Sequence, residues 1–352
     1  MSQNAKDTDS HIGRRLKLRD LQILASVAQH GSMAKAAAQL STTQPTVSQA
    51  IADLEDAVGV RLFDRSTQGV VPTVFGEILV KRGAEAFDAL KQGMRDIEFH
   101  AKSGAGDVWV GGMEALLHGL LPAVIQRLAQ QHPKIIVHAN EVNPSENVHV
   151  LSERKLDLLI GRSTRAQGDD DLHSETLFED AFTVVTGAQN PWARRRKVAL
   201  ADLMDEGWLY GEPGNATQAR ISETILAKTG RLPRVAMYTT SMNLRLALLA
   251  SGDYISCIPG SVYRYGAAGR PIKELPVDMA LKLPVAILTL KNRTLSPAVK
   301  LFIETAREVA KTMAKDGRAE RVCVKVVTKR CERLVQSRRA GAAFLHHESW
   351  RR

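Results

Sequence analysis

The sequence has few cysteines and offers no pairing for them: Cys257, Cys323 and Cys331 make an odd count without a CxxC spacing, which argues against a disulfide framework and a zinc knuckle. All three read as reduced thiols. Nowhere do about 18 apolar residues follow one another, so no membrane partner is expected. The polar stretch from Met1 to His11 lacks the apolar run of a signal peptide, and the expected location is cytoplasmic. Catalytic signatures are also missing. There is no HExxH, no GxSxG, no P-loop and no clustered His/Asp/Glu set, and the ten histidines are scattered. Cys257 lies within the apolar run Tyr254-Ile255-Ser256-Cys257-Ile258, where a buried inert thiol is expected. Glu114 could act as a general base but has no evident partner. No catalytic residue, metal ligand or cofactor is therefore assigned, and the expectation is a chain that is not an enzyme.

What is present is an ordinary globular composition, 352 residues with 44% hydrophobic and 24% charged, enough for two or three domains. The net charge of +10 is unevenly spread: residues 315–352 carry eleven Lys or Arg against four Asp or Glu, so seven of the ten positive charges sit in that tail. Basicity by itself is thus a weak pointer to nucleic acid, and the case rests on patterned residues near the N-terminus.

After a disordered N-terminal stretch, 1–17, the apolar positions Leu18, Leu21, Leu24, Ala25 and Ala28 recur at helical spacing, and Gly31 supplies a left-handed stop. Ser32 caps a second, alanine-rich helix over Met33 to Leu40, whose small side chains permit close packing. A third helix runs from Gln44 to Gly59, with Pro45 in its first turn and Val47, Ile51, Leu54 and Val58 as its buried stripe. Its opposite face begins with Gln44, Thr46, Ser48 and Gln49, short polar groups able to touch base edges, and ends with Asp53, Glu55 and Asp56, which phosphates would repel. Only the N-terminal half should enter a major groove, as in a helix-turn-helix. Arg61 to Thr73 reads as a hairpin wing, with Arg65 and Thr67 on it. Thr73 then caps a long amphipathic segment from Val74 to about Ala101, with a seam of Phe75, Leu79, Ala86, Leu90, Met94 and Ile97. A lone rod of this kind buries its seam best against a second copy, so self-association is expected.

The run SMAKAAAQLSTTQPTVSQAIADLEDAVGVRLFDRSTQGVVPTVFG resembles the headpiece of LysR-type transcription regulators. Gln44, Pro45, Ser48, Gln49, Arg65, Thr73 and Gly76 occupy the positions that carry the resemblance, and Ser32, Thr43, Thr46 and Thr67 complete the DNA-binding set it implies. Gln49 departs from the arginine common there, which favours an adenine edge over a guanine. The implied partners are double-stranded promoter DNA, RNA polymerase, a small-molecule effector and further copies of the chain as a dimer or tetramer.

From the Lys-Ser-Gly-Ala-Gly-Asp hinge at 102–107 onward, strands alternate with helices: Val108 to Gly112, a helix opened by Leu120-Leu121-Pro122, Ile135 to Val142, and Leu156 to Gly161. This βαβαβ order implies a parallel sheet. Further strands are expected at Phe182 to Thr186, Trp208 to Tyr210, Val235 to Thr239, Tyr254 to Ile258 and Val285 to Leu290, with a last helix from Pro297 to about Ala314. The fold class is α/β with an all-α N-terminal part: a winged helix-turn-helix (18–73) and linker helix (74–101), then a two-lobed effector domain similar to periplasmic solute-binding proteins (107–314). Its lobes are expected at about 107–182 with 260–314, and about 183–259. LDLLIGR, LFEDAFTVV and PSENVHVLSERK are similar to the branch that includes galactose-binding-protein regulators. In such a fold the ligand lies where strands end and helices begin. The candidate walls are Met113, Glu114, Asn143, Ser145 and Arg162 from one lobe, Glu212, Asn215, Ser241, Met242 and Asn243 from the other, and Pro259 and Ser261 at the return crossover. Met113 stands where the family commonly has a hydroxyl. Helix N-termini and Arg162 favour a carboxylate or sugar-like effector. Capping or turn duty is the plain alternative for Asn215 and Ser241. A solute-binding protein without regulatory role would need export, and the headpiece stands where its leader would be. For the basic extension 315–352 three readings stay open: a salt-sensitive DNA contact, sequence not selected to fold, and a metal role for His346 and His347.

Overall fold

The computed structural model describes residues 16–66, 69–142, 147–162 and 171–316. The expectations for Thr67, Asn143, Ser145, Cys323, Cys331, the N-terminal stretch to residue 15 and the tail beyond 316 lie outside these residues. The chain divides into two units. One comprises the described residues up to Gly106 together with Asn292–Pro297; the other comprises Asp107–Lys291 and the described residues from Ala298 onward.

In the first unit, α1 (Leu18–His30), α2 (Met33–Gln39) and α3 (Gln44–Val58) enclose a core of Ile23, Leu24, Val27, Ala36, Ala37, Val47, Ile51 and Leu54. The buried face of α1 is broader than its leucine spacing predicts. Leu18 is 47% exposed while Ile23 and Val27 are buried, and Leu21 lies half-buried against Gly83 of a later helix. Val58, expected at the end of the α3 stripe, is exposed in the last turn before Gly59. The wing is a hairpin of β1 (Phe63–Ser66) and β2 (Gly69–Pro72), paired Phe63 to Pro72. α4 (Val74–Ala101) follows, 28 residues or about 42 Å at 1.5 Å each. Its entry is tight: a Cβ on Gly76 would stand 2.1 Å from the Leu62 carbonyl oxygen, so only glycine fits. Along α4, Phe75, Leu90, Met94 and Ile97 are each more than half exposed, whereas Leu79 packs on the headpiece core.

The second unit is built on one mixed sheet, in the order β4-β3-β5-β11-β6-β9-β7-β8, with β10 added on β6. Its strands are β3 (Gly106–Gly112), β4 (Ile135–Glu141), β5 (Leu158–Gly161), β6 (Leu172–Gly187), β7 (Gly207–Tyr210), β8 (Val235–Tyr238), β9 (Tyr254–Pro259), β10 (Ile272–Glu274) and β11 (Lys282–Leu290). The helices are α5 (Glu114–Gln131), α6 (Asn147–Ser152), α7 (Ala216–Thr229), α8 (Met242–Ser251) and α9 (Pro297–Asp316).

Three expectations are corrected here. The sheet is not uniformly parallel: β3 lies parallel to β5 and β7 to β8 and β9, but β11 is antiparallel to both β5 and β6. The strand expected at Phe182 to Thr186 is the second half of a 16-residue strand, β6, whose first half pairs with β11 and whose second half pairs with β9. Charged Glu175 and Asp180 hide that strand from periodicity, and each has a tertiary partner that makes it tolerable, Arg307 and Ser261 respectively. The stretch expected to return to the first lobe from about residue 260 is divided between the two. Ser261 and Gly266 pack on α5 at Gly119 and His118, whereas Leu275, Met279 and Leu281 pack with Trp208 and Ile225 in the second lobe.

α5 begins at Glu114, not at Leu120, and carries Pro122 inside it. An internal proline removes a backbone hydrogen bond and disfavours helix by about 3 kcal/mol. Here Leu116, Leu120, Val124 and Leu128 continue one buried stripe across it at steps of four, and Pro122 lies on the exposed side. Burying four such side chains contributes roughly 1.5–3 kcal/mol each, which outweighs the break.

Candidate functional site

The N-terminal end of α3 is a polar, exposed turn. Thr43 stands in extended backbone as its N-cap, accepting from Thr46 N at 3.4 Å and sharing a hydrogen bond with the Thr46 hydroxyl at 2.8 Å. Thr43, Gln44, Pro45, Thr46 and Gln49 are exposed and Ser48 half-buried. The Gln49 side-chain amide donates to Asp53 Oδ1 at 2.8 Å, a bond that a base edge would have to replace. Of the three carboxylates expected on the outer face, Glu55 is turned away: its Oε1 accepts from Leu62 N and Phe63 N, holding the root of the wing. A positive dipole end therefore stands at the start of α3, with Thr43 capping the Thr46 N–H, and acid comes only further along.

The other headpiece candidates divide by duty. Arg65 is exposed on β1. Ser32 caps α2, accepting from Lys35 N. Thr73 holds a junction: its hydroxyl accepts from Gly76 N at 3.1 Å and donates to the Arg61 carbonyl at 2.8 Å, locking wing to α4.

In the second unit the candidates fall into a cleft group and a crossover group. At the crossover, Ser261 N and Oγ donate to buried Asp180, at 3.0 and 2.6 Å, and a Cβ on Gly119 of α5 would lie 2.3 Å from Ser261 Oγ. Ser261 is sealed, and Pro259 is buried in β9 opposite Phe182. Arg162 Nη1 donates to the carbonyls of Leu283 and Pro284, and its guanidinium lies 5.2 Å from the centre of the Phe182 ring. These three residues tie strands together where the lobes meet. Burial pushes the Asp180 carboxyl above its ordinary range despite the Ser261 bonds and nearby Arg162 and Arg264, and burial likewise lowers the Arg162 guanidinium.

The cleft group gathers at two helix N-termini. Asn215 caps α7, accepting from Thr217 N and Gln218 N, and exposed Glu212 precedes it. Ser241 caps α8 by accepting from Leu244 N. The remaining leading amides of α8, Met242 N and Asn243 N, donate to the two oxygens of Glu114 at 2.6 and 3.1 Å. Asn243 Oδ1 accepts from Arg270. Met113 contributes its backbone, its carbonyl accepting from Leu116 N and Leu117 N.

Sequence reasoning missed Asp180, His118 and Arg245. His118 Nε2 stands 3.5 Å from Glu114 Oε1, one helical turn along α5. Arg245 is 6% exposed, and among the described residues its one partner is the Thr239 carbonyl. A lone cation in the apolar helix Met242-Asn243-Leu244-Arg245-Leu246-Ala247-Leu248 was the available signal. Cys257 is buried, and burial pushes its thiol up to about 12, which leaves it un-ionised at neutral pH. Among the described residues no group of three His, Cys, Asp or Glu stands together as metal ligands, and no helix is long and apolar enough to cross a membrane.

Comparison with known proteins agrees with this arrangement. Residues 18–77 match the family described as bacterial regulatory helix-turn-helix protein, lysR family, and residues 101–311 match the LysR substrate binding domain. The uncharacterized HTH-type transcriptional regulator YdcI of Escherichia coli (strain K12) is 26% identical over 305 residues, covering 86% of this chain and 98% of that protein. The HTH-type transcriptional regulator GbpR of Azospirillum brasilense is 26% identical over 304 residues, covering 85% and 88%. Among solved structures, a full-length OxyR variant from Pseudomonas aeruginosa superposes with a TM-score of 0.57 at 22% identity, covering 84% of this chain and 95% of that one. CbnR complexed with its target DNA gives 0.55 at 20% identity, covering 84% and 100%. At these identities the structural matches speak to fold.

Proposed function

The chain belongs to the LysR family, a DNA-binding transcriptional regulator with a substrate-binding effector domain, and from that premise we propose how its own residues divide the work. Promoter DNA is read by the first turns of α3, with Gln44, Thr46, Ser48 and Gln49 at base edges, Thr43 at a phosphate, and Arg65 of the wing on the adjoining backbone. The observation that carries this reading is the exposed, acid-free start of α3. Gln49 exchanges Asp53 for an adenine edge on binding.

The protein acts as a dimer, or a dimer of dimers, through α4. Phe75, Leu90, Met94 and Ile97 recur along one helix and stay exposed in the single chain, an apolar seam that water disfavours and a second α4 would cover. Paired headpieces then match a dyad-symmetric site. The small molecule sits in the second unit against the N-termini of α7 and α8, and its binding alters the DNA complex that RNA polymerase meets. The work is that of a cytoplasmic regulator, with no chemistry performed on the ligand.

Selection of bound duplexes from a random library tests the DNA reading. An inverted repeat with an A·T pair at one fixed position of each half-site is the expected product; an enriched pool without a repeated motif contradicts it.

A further inference from the structure

The cleft already holds an anion of the chain's own. Glu114, the first residue of α5, places both carboxylate oxygens on the leading amides of α8, Met242 N at 2.6 Å and Asn243 N at 3.1 Å. α5 belongs to the first lobe and α8 to the second, so this contact fastens one lobe to the other. The carboxylate is 15% exposed, with His118 beside it. A helix N-terminus that takes a carboxylate from inside the chain is chemically fitted to take one from outside.

A second feature points the same way. Arg245, on the first turn of α8, folds back towards the start of that helix, where Nη2 donates to the Thr239 carbonyl at 2.9 Å. Thr239 stands two residues before the Ser241 cap of that helix, and its hydroxyl accepts from Ser241 N. The guanidinium is buried, its Nε has no partner among the described residues, and no described carboxylate pairs with it. A buried, unpaired cation is unfavourable unless an anion accompanies it. Glu114 lies close enough to favour the charged guanidinium but does not touch it.

We propose that Glu114 is a built-in stand-in for the effector's acidic group. An effector carboxylate replaces it on Met242 N and Asn243 N, gains Arg245 as counter-charge, and by displacing Glu114 unfastens α5 from α8. The ligand class is then a small carboxylate; a neutral sugar has no counterpart to the displaced charge. The proposal rests on the reading of this domain as an effector-binding domain, and it adds that the unliganded cleft competes against its own ligand. Self-competition scales apparent affinity by the fraction of molecules in which Glu114 has left those amides.

The experiment uses the full chain as wild type, Glu114→Ala, Glu114→Gln and Glu114→Ala with Arg245→Gln. Acetate and malonate are titrated at constant ionic strength against chloride, with glycerol as neutral probe, and the half-saturating concentration is read from melting temperature. Removing Glu114 should lower that concentration for acetate by tenfold or more, and Arg245→Gln should abolish the gain. Glu114→Gln keeps an acceptor on α8 without the charge, and serves if the alanine variant does not fold. Equal half-saturation with and without Glu114, or a glycerol response that follows Glu114 as acetate does, overturns the proposal. DNA footprints separate it from its premise. Tighter acetate binding in Glu114→Ala with a footprint indifferent to every carboxylate upholds the site and removes the effector role. A footprint that shifts with malonate identically in wild type and Glu114→Ala upholds the role and removes the stand-in.

Discussion

Asp88 of α4 and Arg293 form a buried, two-pronged ion pair: Arg293 Nε donates to Asp88 Oδ2 at 2.8 Å and Nη2 to Oδ1 at 3.0 Å. Their side chains are 7% and 2% exposed. Arg293 sits in the short segment Asn292–Pro297, between β11 and α9, which belongs with the first unit. The chain therefore leaves the first unit, returns to it for six residues, and leaves again, with this pair fixing the return.

Breaking a buried pair from one side typically destabilises by about 3–5 kcal/mol, because the remaining charge stays buried without that partner. Arg293→Met and Asp88→Leu should each lower the urea midpoint substantially, and the double replacement should recover much of the loss. Additive losses in the double variant would deny the coupling.

Gln49→Ala removes an exposed side chain whose one hydrogen bond among the described residues is to Asp53. Stability should be almost unchanged, while discrimination at one operator position falls by about 1–3 kcal/mol, the worth of a bidentate amide–adenine contact. Competition between operators differing at single positions measures this. An intact preference at every position would rule out direct readout by Gln49.

Much of the headpiece was legible in sequence because its rules are local. Pro45 in a first turn, Ser32 and Thr73 as caps, and Gly59 as a stop each act over three or four residues. The second unit depends on partners far apart in the chain. Nothing near Glu114 announces that its oxygens meet amides 128 and 129 residues away, and Glu175 and Asp180 argue locally against the strand that Arg307 and Ser261 permit. Ser261 and Arg162 were expected as effector-binding walls, and in the structure their hydrogen bonds serve the crossover. Pro122 misled for the opposite reason: its local rule is sound, and a four-residue apolar stripe overrides it.

Asp180 gives the chain a pH signature. Its carboxyl titrates above the ordinary aspartate value in the folded chain, because of burial first, and at the ordinary value when unfolded. Between those two values the folded chain holds a proton that the unfolded chain has released, so this residue's contribution to stability is full below the unfolded value and lost as pH rises through the folded one. The melting temperature of wild type minus that of Asp180→Asn should rise as pH falls from 7 towards 4. A difference independent of pH would mean that Asp180 titrates normally.

The exposed seam of α4 predicts the assembly. Met94→Glu places charge in an apolar stripe that is 61% exposed at that position in the single chain, so folding should be spared while association fails. Sedimentation should give a lighter species with an unaltered circular dichroism spectrum and weaker operator binding. Retained assembly would place the interface elsewhere.

The central claim, that the first turns of α3 recognise a sequence, is tested most directly by the ratio of affinities for a selected operator and a random duplex of equal length at moderate salt. A ratio of at least a thousandfold, within the range of specific regulators, is expected for the full chain. A ratio near one, with both affinities falling equally as salt rises, would contradict it.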